Sequence, residues 1–364
     1  MQHDFKAKTG ELPIDLDNPD SIASMDAGGM LSAISGLPSQ CREAWEIAST
    51  VTIPAEYRNR ENVISIGMGG SAIGGDLVRT LTASEMNQPM TVIRGYDIPG
   101  FVSDKTLAIL SSYSGNTEET LTAYESCNKR GAKIVAITSG GRLAELARKD
   151  GVPLVLVPSG LQPRAALGYL FLTALSIVQK AGLVTDKSED VEEACDVLEQ
   201  LVGVLGPSSP AEVNQSKRLA MHMFGRIPVI YAAVGFPAAA ALRWKCQINE
   251  NSKTHAFWNE IPEMNHNETV GWSAPDEIQK ALCVIFLRDK GEHPRIAKRF
   301  EITKSIVKGA SSINDVHSLG RSELARLLSL IYVGDFASFY LALLYGVDPT
   351  PVKVIEFLKS ELAK

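Results

Sequence analysis

The sequence predicts an α/β chain built from two doubly wound parallel sheets. Short β-rich apolar runs alternate with helix-length stretches, and loops rich in glycine or hydroxyls directly follow two of those runs. A strand, glycine turn and helix near residue 63 is echoed near residue 228. Strands separated by helix-length connections pair in parallel through right-handed crossovers, which gives a doubly wound sheet in each half.

Composition narrows the function. A 364-residue chain with 45% hydrophobic and 21% charged residues reads as soluble and globular, with enough length for two cores. A net charge of −6 with no basic run argues against a nucleic-acid surface. An anionic ligand must therefore be held by local dipoles and a few cations. The five cysteines, Cys41, Cys127, Cys195, Cys246 and Cys283, are scattered and include no C-x-x-C pair, so neither a disulfide framework nor a thiolate zinc site is expected. Acidic residues Asp4, Glu11, Asp15 and Asp17 without an apolar run speak against a signal peptide, and no membrane span is expected. A cytoplasmic protein is the simplest expectation.

Taken in order, residues 1–60 form an N-terminal extension with an amphipathic helix over 31–48, read as a cover on the first domain. Residues 61–205 form that domain, with strands at 63–66, 91–94, 107–110, 133–137 and 154–157 and an apolar helix over 165–181. The charged run 185–193 suits a solvated helix start. Gly206-Pro207-Ser208-Ser209-Pro210 marks the junction to the second domain, 206–364. There 228–235 reads as strand and turn, 237–245 as helix and 281–287 as strand, with a long helix over 321–344 and a last helix from 351.

The chemistry concentrates in two loops. Ser111-Ser112-Tyr113-Ser114-Gly115-Asn116-Thr117-Glu118-Glu119-Thr120 leaves a strand and enters a helix, where backbone N–H groups and hydroxyls converge as in a phosphate cradle. As an ordinary capped turn, it would need no more than Thr117 with Thr120. Upstream, Gly67-Met68-Gly69-Gly70-Ser71-Ala72 offers glycines for close backbone approach and a hydroxyl on Ser71. That segment also fits G-x-G-x-x-A, the dinucleotide fingerprint, but such a site has no use for a second, serine-rich loop. The echo at 228–245 lacks the serines, so one substrate site per chain is expected.

These loops resemble the SIS (sugar isomerase) fold, a flavodoxin-like sheet that binds a phosphosugar at its Ser/Thr loops. Gln247-Ile248-Asn249-Glu250-Asn251, Pro262-Glu263-Met264-Asn265-His266-Asn267-Glu268 and Leu161-Gln162-Pro163-Arg164-Ala165 then resemble the bifunctional phosphoglucose/phosphomannose isomerase family. The resemblance runs from about residue 64 to the C-terminus. It implies an aldose–ketose isomerase acting on a hexose 6-phosphate through an enediol, with no metal and no cofactor, working as a homodimer. The phosphate would lie on Gly69, Gly70, Ser71, Ser112, Ser114 and Thr117.

Enediol chemistry needs a base moving a proton between C2 and C1, a cation at the developing oxyanion and groups that open the ring. The resemblance makes Glu250 the base, with Glu263 and Glu268 as rivals. Asn249 and Asn251 flank Glu250 and are placed to orient its carboxylate. Arg164 is the implied enediolate cation, a role that suits a permanently charged fork better than a helix start, where it opposes the dipole. His266 is the implied ring-opening group given to the partner subunit's site, Lys359 its assistant with Lys353 as alternative, and Thr350 the residue bearing on epimer tolerance. His255, His266, His293 and His317 show no H-x-H or H-x-x-x-H spacing, which disfavours a zinc-dependent mechanism. Two other classes stay open: a catalytically silent phosphosugar sensor, which would need only the cradle, and a dinucleotide-dependent oxidoreductase.

Overall fold

The computed structural model describes residues 14–58, 60–362 and 364, so part of the predicted N-terminal extension lies outside the described residues. The first stretch carries helices α1 (Pro19–Met25), α2 (Met30–Ser35) and α3 (Leu37–Thr50), then β1 (Asn62–Ile66), α4 (Gly70–Leu81), β2 (Met90–Ile93), β3 (Thr106–Ser111), α5 (Glu118–Lys129), β4 (Lys133–Thr138), α6 (Gly141–Asp150) and β5 (Leu154–Leu156). Helices α7 (Leu167–Lys180), α8 (Ser188–Leu205) and α9 (Gln215–Met223) follow. After them come β6 (Ile227–Ala233), α10 (Phe236–Ser252), β7 (Phe257–Ile261), α11 (Asp276–Lys280), β8 (Leu282–Arg288), α12 (Pro294–Ile306), β9 (Ser312–His317), α13 (Glu323–Leu344) and α14 (Lys353–Leu362).

The first sheet has the order β2-β1-β3-β4-β5, all parallel. Its strands read as unbroken apolar runs because helices cover both faces. Ile64, Ile66, Ala108, Leu110, Ile134 and Ala136 pack there with Tyr124 and Leu143 in one buried cluster. In this doubly wound order the winding reverses between β1 and β3, and ligands bind outside the carboxyl ends of the strands at that point. Ile66 lies opposite Leu110, so the loops leaving the two strands start level with each other. The glycine loop and the serine loop are those two loops.

The second sheet, β7-β6-β8-β9, is also all parallel and reverses between β6 and β8. Its edge strands, Phe257–Ile261 and Ser312–His317, are absent from the sequence reading. Each pairs on one side only and tolerates Asn259, Glu260, Asn314 and Asp315, which hide the apolar run.

By its contacts the chain divides into two compact units. One comprises Ser35–Glu199 and Leu319–Leu328 and holds the first sheet; the other comprises the stretch ending at Ile34, Gln200–Ser318 and Ser329–Lys364 and holds the second. The single covering helix expected over 31–48 is two helices. Gly36 separates them, and Pro38, in the first turn of α3, starts a new helix where its missing N–H is harmless. Helix α3 packs on α7 so closely that a Cβ on Gly168 would stand 2.8 Å from the Gln40 Cβ. Helix α13 is long and apolar enough to cross a bilayer, but its whole apolar window is buried inside the protein, as in a core helix.

Candidate active site

In the first-sheet unit, backbone packing joins the two loops to the turn that bears Arg164. Gly67 is buried, and a Cβ there would lie 2.9 Å from the Ser111 carbonyl oxygen. The Tyr113 N–H donates to Ser71 Oγ at 3.2 Å, linking the serine loop to the first turn of α4. A Cβ on Gly70 would meet the Pro163 carbonyl oxygen at 2.6 Å and the Arg164 nitrogen at 3.0 Å. Glycine is therefore what lets the glycine loop touch the short 3₁₀ turn Pro163–Ala165. Arg164 in that turn is 3% exposed.

Within the serine loop, Ser112 is fully buried and sits 2.8 Å from Thr117 Oγ1, and its Oγ accepts the Gly115 and Thr117 N–H groups. Ser114 is exposed, and its Oγ accepts from the Asn116 N–H. Thr117 occupies the N-cap of α5, yet its hydroxyl makes no capping bond. Among the described hydrogen bonds none uses the N–H of Glu118, Glu119 or Thr120, and the buried Thr120 Oγ1 has no partner. The loop is thus more than a capped turn: it presents an open helix N-terminus at the reversal point of the sheet. Tyr113, which sequence reasoning passed over, ties the assembly to the segment before Arg164. Its hydroxyl donates to the Pro158 carbonyl at 2.8 Å and accepts the Leu161 N–H at 3.1 Å. Burial raises the phenol's pKa and keeps it a donor.

The second sheet's reversal point carries an acid after β8 where the first sheet has hydroxyls after β3. Gly235 opens the β6 turn with φ +105°, but the β8 turn places the Asp289 carboxylate there, accepting from Ser318 Oγ at 2.5 Å and the Gly291 N–H at 2.8 Å. A carboxylate where the first unit has hydroxyls repels phosphate.

Helix α10 connects adjacent parallel strands, so it runs from the carboxyl edge of the second sheet back to the amino edge. Its seventeen residues span about 25 Å. Glu250, half-buried, lies in its last turn, whereas His266 follows β7 in a turn at the carboxyl edge and is exposed. The structure does not bring these two residues of one chain together. The end of α10 is anchored to α13 by the buried pair of Arg243 and Asp335 at 2.7 Å, by Gln247 on the same carboxylate at 3.0 Å and by Trp244 Nε1 on the Leu330 carbonyl. Asn249 donates to the Thr254 carbonyl just past the helix, and Asn251 donates to Ser338 Oγ.

Lys253, missed in the sequence, adopts φ +54° just past α10 and donates to the carbonyls of Glu250 and Pro349. It thereby brings Glu250 beside the loop that carries Thr350. Its only sequence signal is a lysine directly after Asn-Glu-Asn-Ser. Of the rival carboxylates, Glu268 accepts from the Tyr231 hydroxyl at 2.5 Å and the Asn259 amide at 2.6 Å, while Glu263 accepts from Asn267 at 2.8 Å. Lys353 and Lys359 are both exposed on α14, a helix with no buried residue. Among the described residues no three His, Cys, Asp or Glu side chains cluster as a metal site would require.

Comparison with known proteins places these features in a wider set. A family model of the SIS domain matches residues 56–151, and one described as the bacterial phospho-glucose isomerase C-terminal SIS domain matches residues 212–362. The chain is 46% identical, over 92% of its length and 99% of the relative's, to a bifunctional phosphoglucose/phosphomannose isomerase of Caldicellulosiruptor bescii. It is 39% identical to one of Aquifex aeolicus, over 84% of this chain and 91% of that one. Among solved structures, a glucose-6-phosphate isomerase like protein from Thermus thermophilus superposes with a TM-score of 0.59 at 20% identity, covering 94% of this chain and 99% of that one, which speaks for the fold alone.

Proposed function

The chain belongs to the bifunctional phosphoglucose/phosphomannose isomerase family and is an aldose–ketose isomerase, and from that premise we propose that it interconverts glucose 6-phosphate and mannose 6-phosphate with fructose 6-phosphate without a metal. The observation that carries this reading is the uncapped N-terminus of α5 at the β1/β3 reversal, flanked by Ser71, Ser112, Ser114 and Thr117. A phosphomonoester accepts from the free N–H groups there and from the hydroxyls of the loop. The strand order 2-1-3-4-5 also differs from the 3-2-1-4-5 of dinucleotide sheets, and the glycine loop is packed against Arg164. Both points weigh against the oxidoreductase.

In the proposed reaction His266 and Lys359 shuttle the proton that opens the ring. Glu250 takes the C2 proton and returns it to C1, and the Arg164 guanidinium stabilises the enediolate oxygen. Glucose and mannose phosphates lose their C2 proton to the same enediolate, so one carboxylate serves both if the C2 hydroxyl is accepted beside Thr350. Glu250 is preferred over Glu268 because it stands in the Asn249-Glu250-Asn251 segment that the family resemblance singles out. The separation of Glu250 and His266 on opposite edges of one sheet supports a homodimer in which His266 completes the partner's site. Exposure of His266 agrees with that role.

The direct test is a coupled assay of purified protein with each aldose phosphate, run with and without chelator. Turnover of both, unchanged by chelator, is expected. Tight phosphosugar binding without turnover would make the protein a sensor instead.

A further inference from the structure

The N-terminal segment, opaque in the sequence, packs against Thr350 at Gly28. Gly28 lies in the turn before α2, and its φ is not in the left-handed region, so its backbone does not call for glycine. What calls for glycine is Thr350. A Cβ on Gly28 would stand 2.3 Å from both Cβ and Oγ1 of Thr350 and 2.5 Å from its Cγ2. The neighbouring Gly29 is the reverse case, with φ +70° and no atom within 4 Å of a Cβ. Two adjacent glycines therefore serve different purposes.

Both partners of the contact are held. The Asp26 carboxylate accepts the Met30 and Leu31 N–H groups at 2.8 Å each, fixing the turn at the start of α2. Across the contact, the Thr350 N–H donates to Asp348 Oδ1 at 2.9 Å, and Lys253 grips the Pro349 carbonyl at 2.8 Å. Neither side is a flexible chain end that could swing away. A methyl on Gly28 must displace the Thr350 side chain by about 1 Å to restore ordinary contact.

We propose that Gly28 is a specificity-determining positioning residue: by leaving room for Thr350 it sets how the pocket accepts the C2 hydroxyl of the two aldose epimers. This rests on the proposed place of Thr350 in that pocket. Gly28 touches no substrate in this account; it acts through the threonine.

The test measures kcat/KM for glucose 6-phosphate and mannose 6-phosphate in Gly28→Ala, Gly29→Ala, Thr350→Val and the parent, with thermal melts of each. Gly28→Ala should shift the ratio of the two by roughly tenfold, the scale of one misplaced methyl-sized group in a pocket. Gly29→Ala should lower the melting temperature through backbone strain and leave the ratio alone. A shifted ratio in Thr350→Val with none in folded Gly28→Ala overturns the role of Gly28. An unshifted ratio in Thr350→Val overturns the reading of Thr350, and the inference with it. Should Gly28→Ala not fold, Gly28→Ala/Thr350→Gly is compared with Thr350→Gly. Identical ratios are expected, because the added methyl acts only through the threonine side chain, and a difference between them refutes the proposal.

Discussion

Replacing Gly70 with alanine isolates the contact between the glycine loop and Arg164. Gly70 is the first residue of α4, where alanine should gain up to about 1 kcal/mol in helix propensity. The added Cβ, however, would sit 2.6 Å from the Pro163 carbonyl oxygen, 2.8 Å from its carbon and 3.0 Å from the Arg164 nitrogen. All three are backbone atoms, so no side chain can rotate out of the way. Relieving the closest contact moves the Arg164 turn, or the start of α4, by about 0.8 Å. Overpacking of this kind costs about 1–3 kcal/mol, which outweighs the propensity gain and leaves a net loss of about 1 kcal/mol. The catalytic effect should be larger, since a misplacement near 1 Å costs on the order of 100-fold in rate. Steady-state kinetics should show kcat down by about 30- to 100-fold and KM changed by less than about threefold, because the α5 end of the cradle is untouched. Competition by inorganic phosphate, read in the same assay, should weaken only where it is the start of α4, with Gly70 and Ser71, that moves rather than the Arg164 turn. Gly69→Ala is the control, being strained at φ +51° but meeting no atom within 4 Å. A Gly70→Ala protein with parental kcat and parental melting temperature would refute the argument that this contact positions Arg164.

Glu250→Gln should keep fold and phosphosugar affinity and lose isomerisation by about three orders of magnitude or more, because the amide cannot accept a carbon-bound proton; activity within tenfold of the parent removes Glu250 as the base. Mixing inactive His266→Ala and Glu250→Gln subunits should restore roughly a quarter of parental activity, since about half the dimers are mixed and each then holds one intact site. Background activity after verified subunit exchange would show that His266 does not serve a partner. Burial works against the charge of Glu193, but the N–H groups of Ser322 and Arg321, at 2.9 and 2.6 Å, and their side chains hold its carboxyl down to about 2 from an ordinary 4.5. A depressed folded pKa contributes stability in full above pH 4.5 and loses it as pH falls toward 2. Glu193→Gln should therefore flatten the acid limb of unfolding between those values, and an unchanged limb in urea melts would count against it.

How much of this was legible depended on where each residue sits in its sheet. The central strands announced themselves because burial on both faces leaves only apolar residues in 63–66, 107–110 and 133–137. The edge strands β7 and β9 did not, since one bare side admits Asn259, Glu260, Asn314 and Asp315. The two loops were readable because their hydroxyls and glycines are contiguous. That Thr117 would leave α5 uncapped was not, for a threonine at an N-cap position looks the same whether or not its hydroxyl turns inward to Ser112. Gly28, Lys253 and Tyr113 work through contacts between segments distant in sequence, and no local pattern encodes such a contact. The opposite placement of Glu250 and His266 needed the topology, because sixteen residues of sequence conceal a helix end, a loop and a full strand between them.

The interleaved chain order of the second-sheet unit also dictates when it can form. Its last strand ends at His317, but the segment that completes its core, Ser329 to Leu344 of α13, is synthesised later. Until the ribosome has made Leu330 and Asp335, Trp244 lacks the Leu330 carbonyl and Arg243 lacks the Asp335 carboxylate that meets it in what will become a dry interior. Removing one partner of such a buried pair costs about 3–5 kcal/mol, which works against closure. The nascent sheet must wait with its apolar faces uncovered and with β7 and β9 as open edges onto which another growing chain could add. Translation through the final tenth of the message is thus the interval of greatest hazard, when chaperone capture decides yield, and premature stops before codon 335 should produce aggregate rather than a smaller folded protein.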